Sequence, residues 1–118
     1  PPALSTGAAE PADTAWEQNL AHFNKAVSRL TARGAQIALV RFPTSGNWWL
    51  NDQRQWPRDS FWDRIAVSTG AIKIHFRDVP SMTRFTLPDS SHLDRRDRDA
   101  FTRILLNELD AAGMTWRK

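Results

Sequence analysis

The fold class is decided by one short stretch of the 118-residue chain, Gln36-Ile37-Ala38-Leu39-Val40-Arg41-Phe42. Four consecutive apolar residues with β-branched members are too few for a helix and are typical of a strand buried on both faces. Such strands occur inside parallel sheets, where other strands flank them and helices cover both faces. The stretch therefore predicts an α/β domain.

The segments around this strand carry helical and loop patterns. Upstream, Thr14 and Glu17 have capping-box spacing, an apolar stripe follows at helical intervals, and Gly34 is expected to end the helix. Downstream, the Pro, Gly and Asn content predicts a long Trp-rich loop over residues 43–56, which can hold a short turn of helix. A second helix is expected over about 57–68.

A second strand and a last helix complete the pattern. Residues 71–76 alternate between apolar and polar side chains, so Lys73 and His75 are expected to face solvent or a cross-strand partner. After an irregular segment, Asp94 is expected to cap a helix that ends before Gly113. The order helix, strand, helix, strand, loop, helix favours parallel strands joined by right-handed crossovers.

The number of strands bears on domain organisation. Two strands do not make a doubly wound sheet, so we interpret residues 14–118 as the C-terminal half of a single larger α/β domain. The missing N-terminal half, or another chain, is expected to complete the sheet. Residues 1–13 are rich in Pro and Ala and predict a flexible tail. The chain opens on Pro1 rather than Met, which agrees with a fragment or a processed product.

Composition excludes several classes of site. The chain has no Cys, which excludes disulfides, thiol nucleophiles and zinc or iron–sulfur sites built on Cys. Its three His lack ligand spacing, and it contains no P-loop or Gly-x-Gly-x-x-Gly motif, so no metal or other cofactor is expected. The net charge is only +3, and Arg alternates with Asp over residues 94–99, which disfavours nucleic acid as a partner. No apolar run approaches the ~20 residues of a membrane span.

A turn just before the last helix carries the pattern most relevant to catalysis. Asp89 precedes His92 by three residues in a segment that contains Pro88. On such a turn the carboxylate can accept from one imidazole nitrogen, which fixes the tautomer and leaves the other nitrogen free as a base. The alternative is an Asx turn, in which Asp89 caps backbone amides and His92 is an ordinary loop residue.

These residues also carry a resemblance to a known family. The passage from Phe85 to Leu93, followed by a helix, resembles the terminal Asp-x-x-His block of SGNH (GDSL-type) hydrolases. Residues 34–43 are similar to the helix–Gly–strand–Pro passage in the C-terminal halves of that family. Within that family, these segments most resemble the bacterial branch that includes cell-envelope polysaccharide O-acetylation proteins. The resemblance covers roughly residues 15–112.

The resemblance implies both a fold and a reaction. The fold would be a flavodoxin-like, three-layer parallel-sheet domain. The site would be a Ser-His-Asp arrangement for ester hydrolysis or O-acyl transfer, acting on a small ester or an acylated glycan. On the matching positions, His92 would be the general base and Asp89 its orienting acid. The family also implies a periplasmic or cell-envelope location.

The chain departs from the family where the nucleophile should be. No Gly-Asp-Ser-like turn follows a first strand, and the oxyanion-hole Gly and Asn blocks are missing. Asp59-Ser60 is superficially similar but has no strand before it. We therefore expect the nucleophilic Ser to lie outside this chain.

The Trp-rich loop supplies a second hypothesis, a non-catalytic interaction module. Asn47, Trp48 and Trp49 are candidates for binding a glycan or a partner chain, because indole rings stack on sugar rings. The alternative is that these Trp side chains simply fold over the core. A third and weaker hypothesis is a nucleic-acid binder that uses Arg and Trp. His22, on the first helix, is expected to face solvent.

Overall fold

The computed structural model describes the backbone of residues 6–116 and the side chains of residues 14–116. Three helices and two strands follow in the order α1 (Thr6–Ala32), β1 (Ala38–Arg41), α2 (Gly46–Gln55), β2 (Ile72–His75) and α3 (Arg98–Ala111). Short 3₁₀ turns connect them at Trp62–Arg64, Phe76–Asp78, Pro80–Arg84 and Arg95–Asp97. Within residues 6–116, none of the helices combines the length and apolar character that crossing a bilayer requires.

The two strands form a small parallel sheet, as the order of elements predicts. Ala38 pairs with Ile72 and Arg41 pairs with His75, so both strands end at the same edge. The protein is therefore of mixed α/β character, and the predicted parallel pairing is confirmed.

The hydrophobic core lies between one face of this sheet and α3. Ile74 on β2 packs with Phe76, Met82 and the α3 residues Phe101 and Leu109. Ala38 and Ile72 lie against the same cluster from the sheet. The predicted last helix is present and ends before Gly113, but its cap is not the predicted one. The Asp94 side chain accepts from the backbone amide of Arg96 and caps the 3₁₀ turn Arg95–Asp97, whereas α3 has Asp97 as its N-cap, without a side-chain capping bond.

β1 is less buried than the sequence predicts. All four of its residues are only partly buried, and Phe42 immediately after it is 48% exposed. Within residues 6–116, β1 has a strand neighbour on one edge only. The expectation of burial on both faces is therefore wrong for the described part of the chain, since burial of this kind needs layers on both sides.

The predictions for residues 43–68 are wrong in two places. The expected loop contains the ten-residue helix α2, and the expected helix over 57–68 is instead a series of turns with one short 3₁₀ segment. Ala66 and Ser68 have positive φ angles of 59° and 58°, which a right-handed helix cannot contain. The Asn24 side chain of α1 donates to the carbonyl of Arg64 and accepts from the amide of Ala66. These two backbone groups are therefore hydrogen-bonded by α1 rather than within a helix of their own.

Helix α1 is joined to the sheet through this segment. Trp16 packs on Phe61 with ring centroids 4.9 Å apart, and Leu20 and Val27 are buried. The helix begins at Thr6 rather than at the predicted cap Thr14. Residues 1–5 of the predicted tail lie outside the described residues. The predicted stop at Gly34 is confirmed, with a φ of 94°.

Candidate functional sites at the carboxyl ends of the strands

The turn that contains Asp89 lies beside the carboxyl end of β1. The backbone amide of Ser45 donates to the carbonyl of Ser90 at 2.8 Å. At Gly46, where φ is 55°, an added Cβ would lie 3.3 Å from the Ser90 hydroxyl. This close approach places the Asp-x-x-His turn at the edge where ligands of open α/β sheets bind.

Asp89 and His92 are hydrogen-bonded to each other. The Asp89 Oδ2 atom lies 2.8 Å from His92 Nδ1. The other carboxylate oxygen accepts from the backbone amides of Ser91 at 3.0 Å and His92 at 2.8 Å. One carboxylate thus orients the imidazole and caps the turn. The carboxylate–imidazole contact and the Asx turn, which the sequence offered as alternatives, are therefore formed together.

These three hydrogen bonds keep Asp89 ionised. The bond from the His92 side chain, followed by the bonds from the Ser91 and His92 amides, lowers the pKa of Asp89 to about 2. A carboxylate accepts and does not donate at neutral pH, so His92 Nδ1 carries the proton and Nε2 has the basic lone pair. The tautomer that a general base needs is therefore set by local geometry.

The His92 ring lies next to an open cleft. Phe42, Pro43, Ser91 and Leu93 line this cleft of about 370 Å³ together with His92. The side chains are exposed, at 80% for His92 and 59% for Asp89. In the described part of the chain, the His92 side chain hydrogen-bonds only Asp89 and the Ser91 hydroxyl, 2.9 Å away. Ser91 thus faces Nδ1, the wrong nitrogen for a nucleophile that Nε2 activates.

The three predicted glycan-contact residues lie on α2 but not on one surface. Trp48 is 55% exposed, and Asn47 is exposed beside it. Trp49 turns inward and packs edge-on against Phe76, with centroids 5.3 Å apart. Consecutive helix positions differ by about 100° around the axis, so adjacent indoles cannot share one face.

A second cleft, which the sequence analysis does not predict, opens on the sheet face opposite α3. Its volume is about 220 Å³. We call it the aromatic cleft and define it by six of its lining residues: Arg41, Trp49, Trp56, Arg58, Trp62 and His75. Its one sequence signal is the spacing of three Trp over residues 49–62. That signal is informative only once α2 and the turn at 57–65 are known to face each other.

His75, at the base of this cleft, is buried. The expectation that it faces solvent is wrong, because only 4% of the residue is exposed, whereas the alternative of a cross-strand partner is compatible with its register opposite Arg41. Its ring stacks on Phe76 at a centroid distance of 5.2 Å, and Trp62 meets it edge-on at 5.5 Å. By contrast His22, on α1, is exposed as predicted.

Burial keeps His75 uncharged. It lowers the pKa of His75 to about 4, and the positive charge of Arg58 acts in the same direction. The backbone amide of Arg77 donates to His75 Nδ1 at 3.1 Å. The neutral ring therefore carries its proton on Nε2 and can donate one hydrogen bond.

The two arginines of the aromatic cleft are already neutralised. Arg58 makes a bidentate pair with Asp78, with both distances 2.7 Å, and a further bond to Asp63 at 3.1 Å. These carboxylates raise the pKa of Arg58. Arg41 pairs with Asp52 of α2 at 2.5 Å. The cleft thus has aromatic walls and no unpaired charge among these groups.

Comparisons with known proteins give no assignment for either site. Comparison with models of known protein families, with curated proteins and with solved structures finds no match to this chain. Among the described residues, no cluster of His, Asp and Glu could hold a metal ion.

Proposed function

We propose that this protein takes part in ester hydrolysis or O-acyl transfer, with His92 as general base and Asp89 as its orienting acid. The observation that supports this proposal is the 2.8 Å hydrogen bond that His92 Nδ1 donates to Asp89 beside an open cleft. It leaves Nε2 as the basic nitrogen, which is the arrangement that deprotonates a hydroxyl in Ser-His-Asp sites.

In this proposal His92 carries the proton transfers of the reaction. His92 Nε2 accepts the proton of a Ser hydroxyl as that oxygen attacks the ester carbonyl, and Asp89 stabilises the imidazolium. The imidazolium then returns the proton to the departing alcohol, and an acyl-Ser remains. Water or a sugar hydroxyl, deprotonated in turn by His92, attacks the acyl group and releases Ser. The substrate class in this proposal is a small ester or an acylated glycan.

The Ser in this proposal comes from outside residues 14–116. Among residues 14–116 no Ser hydroxyl hydrogen-bonds His92 Nε2, and Ser91, which does contact the ring, lies at Nδ1. The half-buried β1, with an exposed Phe42 at its end, supports a larger sheet that continues past this strand. We therefore place the nucleophile on a preceding segment or a partner chain that completes a three-layer, flavodoxin-like domain in the cell envelope.

A second candidate function is a non-catalytic module. The exposed Trp48 beside Asn47 favours it, as does the absence, among the described residues, of a Ser hydroxyl hydrogen-bonded to His92 Nε2. In this function the outer face of α2 binds a glycan or a partner chain, and Asp89 serves only to shape its turn.

The deciding experiment measures hydrolysis of p-nitrophenyl acetate by the protein as its source produces it, including any segment before Pro1. We expect His92→Ala to remove most of the turnover and Asp89→Asn to lower kcat by up to ~10⁴-fold, because the charge that stabilises the imidazolium is lost and the tautomer is no longer fixed. His22→Ala is the matched control, since it also removes an exposed His. Turnover that His92→Ala leaves unchanged would contradict the catalytic proposal and favour the module.

A further inference from the structure

The aromatic cleft has the form of a small-molecule site. Trp49, Trp56 and Trp62 supply indole walls around the last residues of both strands. Its volume of about 220 Å³ is below the roughly 300–1,000 Å³ of pockets for drug-sized ligands. A cleft of this size takes one ring rather than an extended chain.

A buried polar group lies among these walls. His75 is 4% exposed, and its Nδ1 is occupied by the Arg77 amide. No described residue hydrogen-bonds Nε2, so Nε2–H is the donor that this ring has left to offer a ligand. The Gln53 side chain, which also lines the cleft, adds amide donors and an acceptor.

The charges in the cleft select against ions. Arg58 is engaged by Asp63 and Asp78, and Arg41 by Asp52 and the carbonyl of Phe42. Each guanidinium charge is therefore balanced by a carboxylate, so these pairs leave no excess positive charge to attract a phosphate or carboxylate ligand. A cationic ligand would have to compete with Arg41 or Arg58 for the same carboxylates. The favoured ligand is therefore neutral.

We infer that the aromatic cleft binds one neutral, hydroxyl-bearing ring, of which a hexopyranose unit is the matching chemical class. The apolar C–H face of such a ring stacks on an indole, and its hydroxyls pair with His75 Nε2–H and Gln53. This inference concerns a different set of residues from the Asp89–His92 turn and does not rest on the catalytic proposal.

The test is a titration with neutral methyl glycosides, namely the methyl glucoside, galactoside and mannoside, at millimolar concentrations. Tryptophan fluorescence and the imidazole NMR signals of His75 report binding. We expect at least one glycoside to shift the His75 signals. We expect Trp56→Ala to weaken the binding of that glycoside at least tenfold.

Trp116→Ala is the matched control for this test. Trp116 and Trp56 are 52% and 56% exposed, but only Trp56 lines the aromatic cleft. We expect Trp116→Ala to leave the affinity unchanged, and Trp48→Ala tests the outer face of α2 separately. Circular dichroism of each variant checks that it is folded.

Three results would overturn the inference. One is that none of the glycosides perturbs His75 in the folded wild-type protein. Another is that Trp48→Ala, and not Trp56→Ala, removes binding, which would assign the sugar to the outer face of α2. The third is that inorganic phosphate, and no glycoside, shifts the His75 signals, which would show an anion site. None of these results bears on ester turnover by His92.

Discussion

His92 and His75 lie close to the carboxyl ends of the two strands, but their surroundings are opposite. His92 is 80% exposed on a turn, and a carboxylate three residues away holds its Nδ1. His75 is 4% exposed among aromatic rings, and a backbone amide two residues away holds its Nδ1. The first imidazole therefore presents a basic Nε2, whereas the second presents an Nε2–H donor.

The difference separates two physical effects. A local hydrogen bond chooses the tautomer in both cases, because the partner lies within three residues along the chain. Burial decides the charge at His75, because the surrounding aromatic rings remove the water that would solvate an imidazolium. The exposed His92 ring keeps that water, so Asp89 orients the ring without removing it from solvent.

The largest expected effect that tests this contrast is on stability. His75→Ala removes a ring that contacts Trp49, Trp62 and Phe76, so it should lower the free energy of unfolding by about 2–4 kcal/mol. His92→Ala should change it by less than about 0.5 kcal/mol, as exposed substitutions usually do. Urea denaturation followed by tryptophan fluorescence measures both. Equal losses in the free energy of unfolding for the two variants would contradict this contrast between a buried and an exposed His.

Acid should destabilise the protein through His75. Its folded pKa of about 4 is below the unfolded value of about 6.5, so the unfolded state binds more protons in this window. The stabilisation is complete above pH 6.5 and is lost as the pH falls towards 4, by roughly 3 kcal/mol. Urea midpoints measured from pH 7 to pH 4 test this sign. His75→Gln should flatten the dependence, and an unchanged dependence in this variant would contradict the role of His75.

A smaller effect is expected at the contact between the loop after β1 and the Asp89 turn. Gly46→Ala strains a residue with φ of 55° and brings a Cβ to 3.3 Å from Ser90, which should cost about 1–2 kcal/mol. The NMR signals of His92 should move, while those of His75 should not. Gly113→Ala is the control, since its φ is 99° and nothing lies within 4 Å of its Cβ. Movement of His92 in the control as well would argue against a specific contact.

The smallest expected effect on stability is that of Asp89→Asn. The amide oxygen can still accept from the Ser91 and His92 amides, so the urea midpoint should shift less than in Gly46→Ala. The negative charge beside Nδ1 is lost, so the NMR-detected tautomer of His92 should become mixed. His75 should keep its single tautomer in the same sample. An unchanged His92 spectrum would show that the carboxylate does not select the tautomer.

The sequence by itself determined the features whose partners lie close along the chain. Thr14 to Gly34 and Asp94 to Gly113 carry helix patterns with stop signals, and both helices are present. The parallel pairing of β1 and β2 follows from the order of the elements. The Asp89–His92 bond also belongs here, because a three-residue turn brings the two side chains together.

Only the tertiary structure decided the features that depend on distant residues. Residues 57–68 have helical periodicity, but Asn24, 42 residues before Ala66, binds its amide and helps to hold the segment in turns. His75 alternates with apolar residues as a surface position would, yet Trp49 and Trp62 from two other segments cover it. The aromatic cleft exists because these segments meet over the sheet. Local pattern fixes which way a side chain leaves the backbone, whereas burial depends on what the rest of the chain places over it.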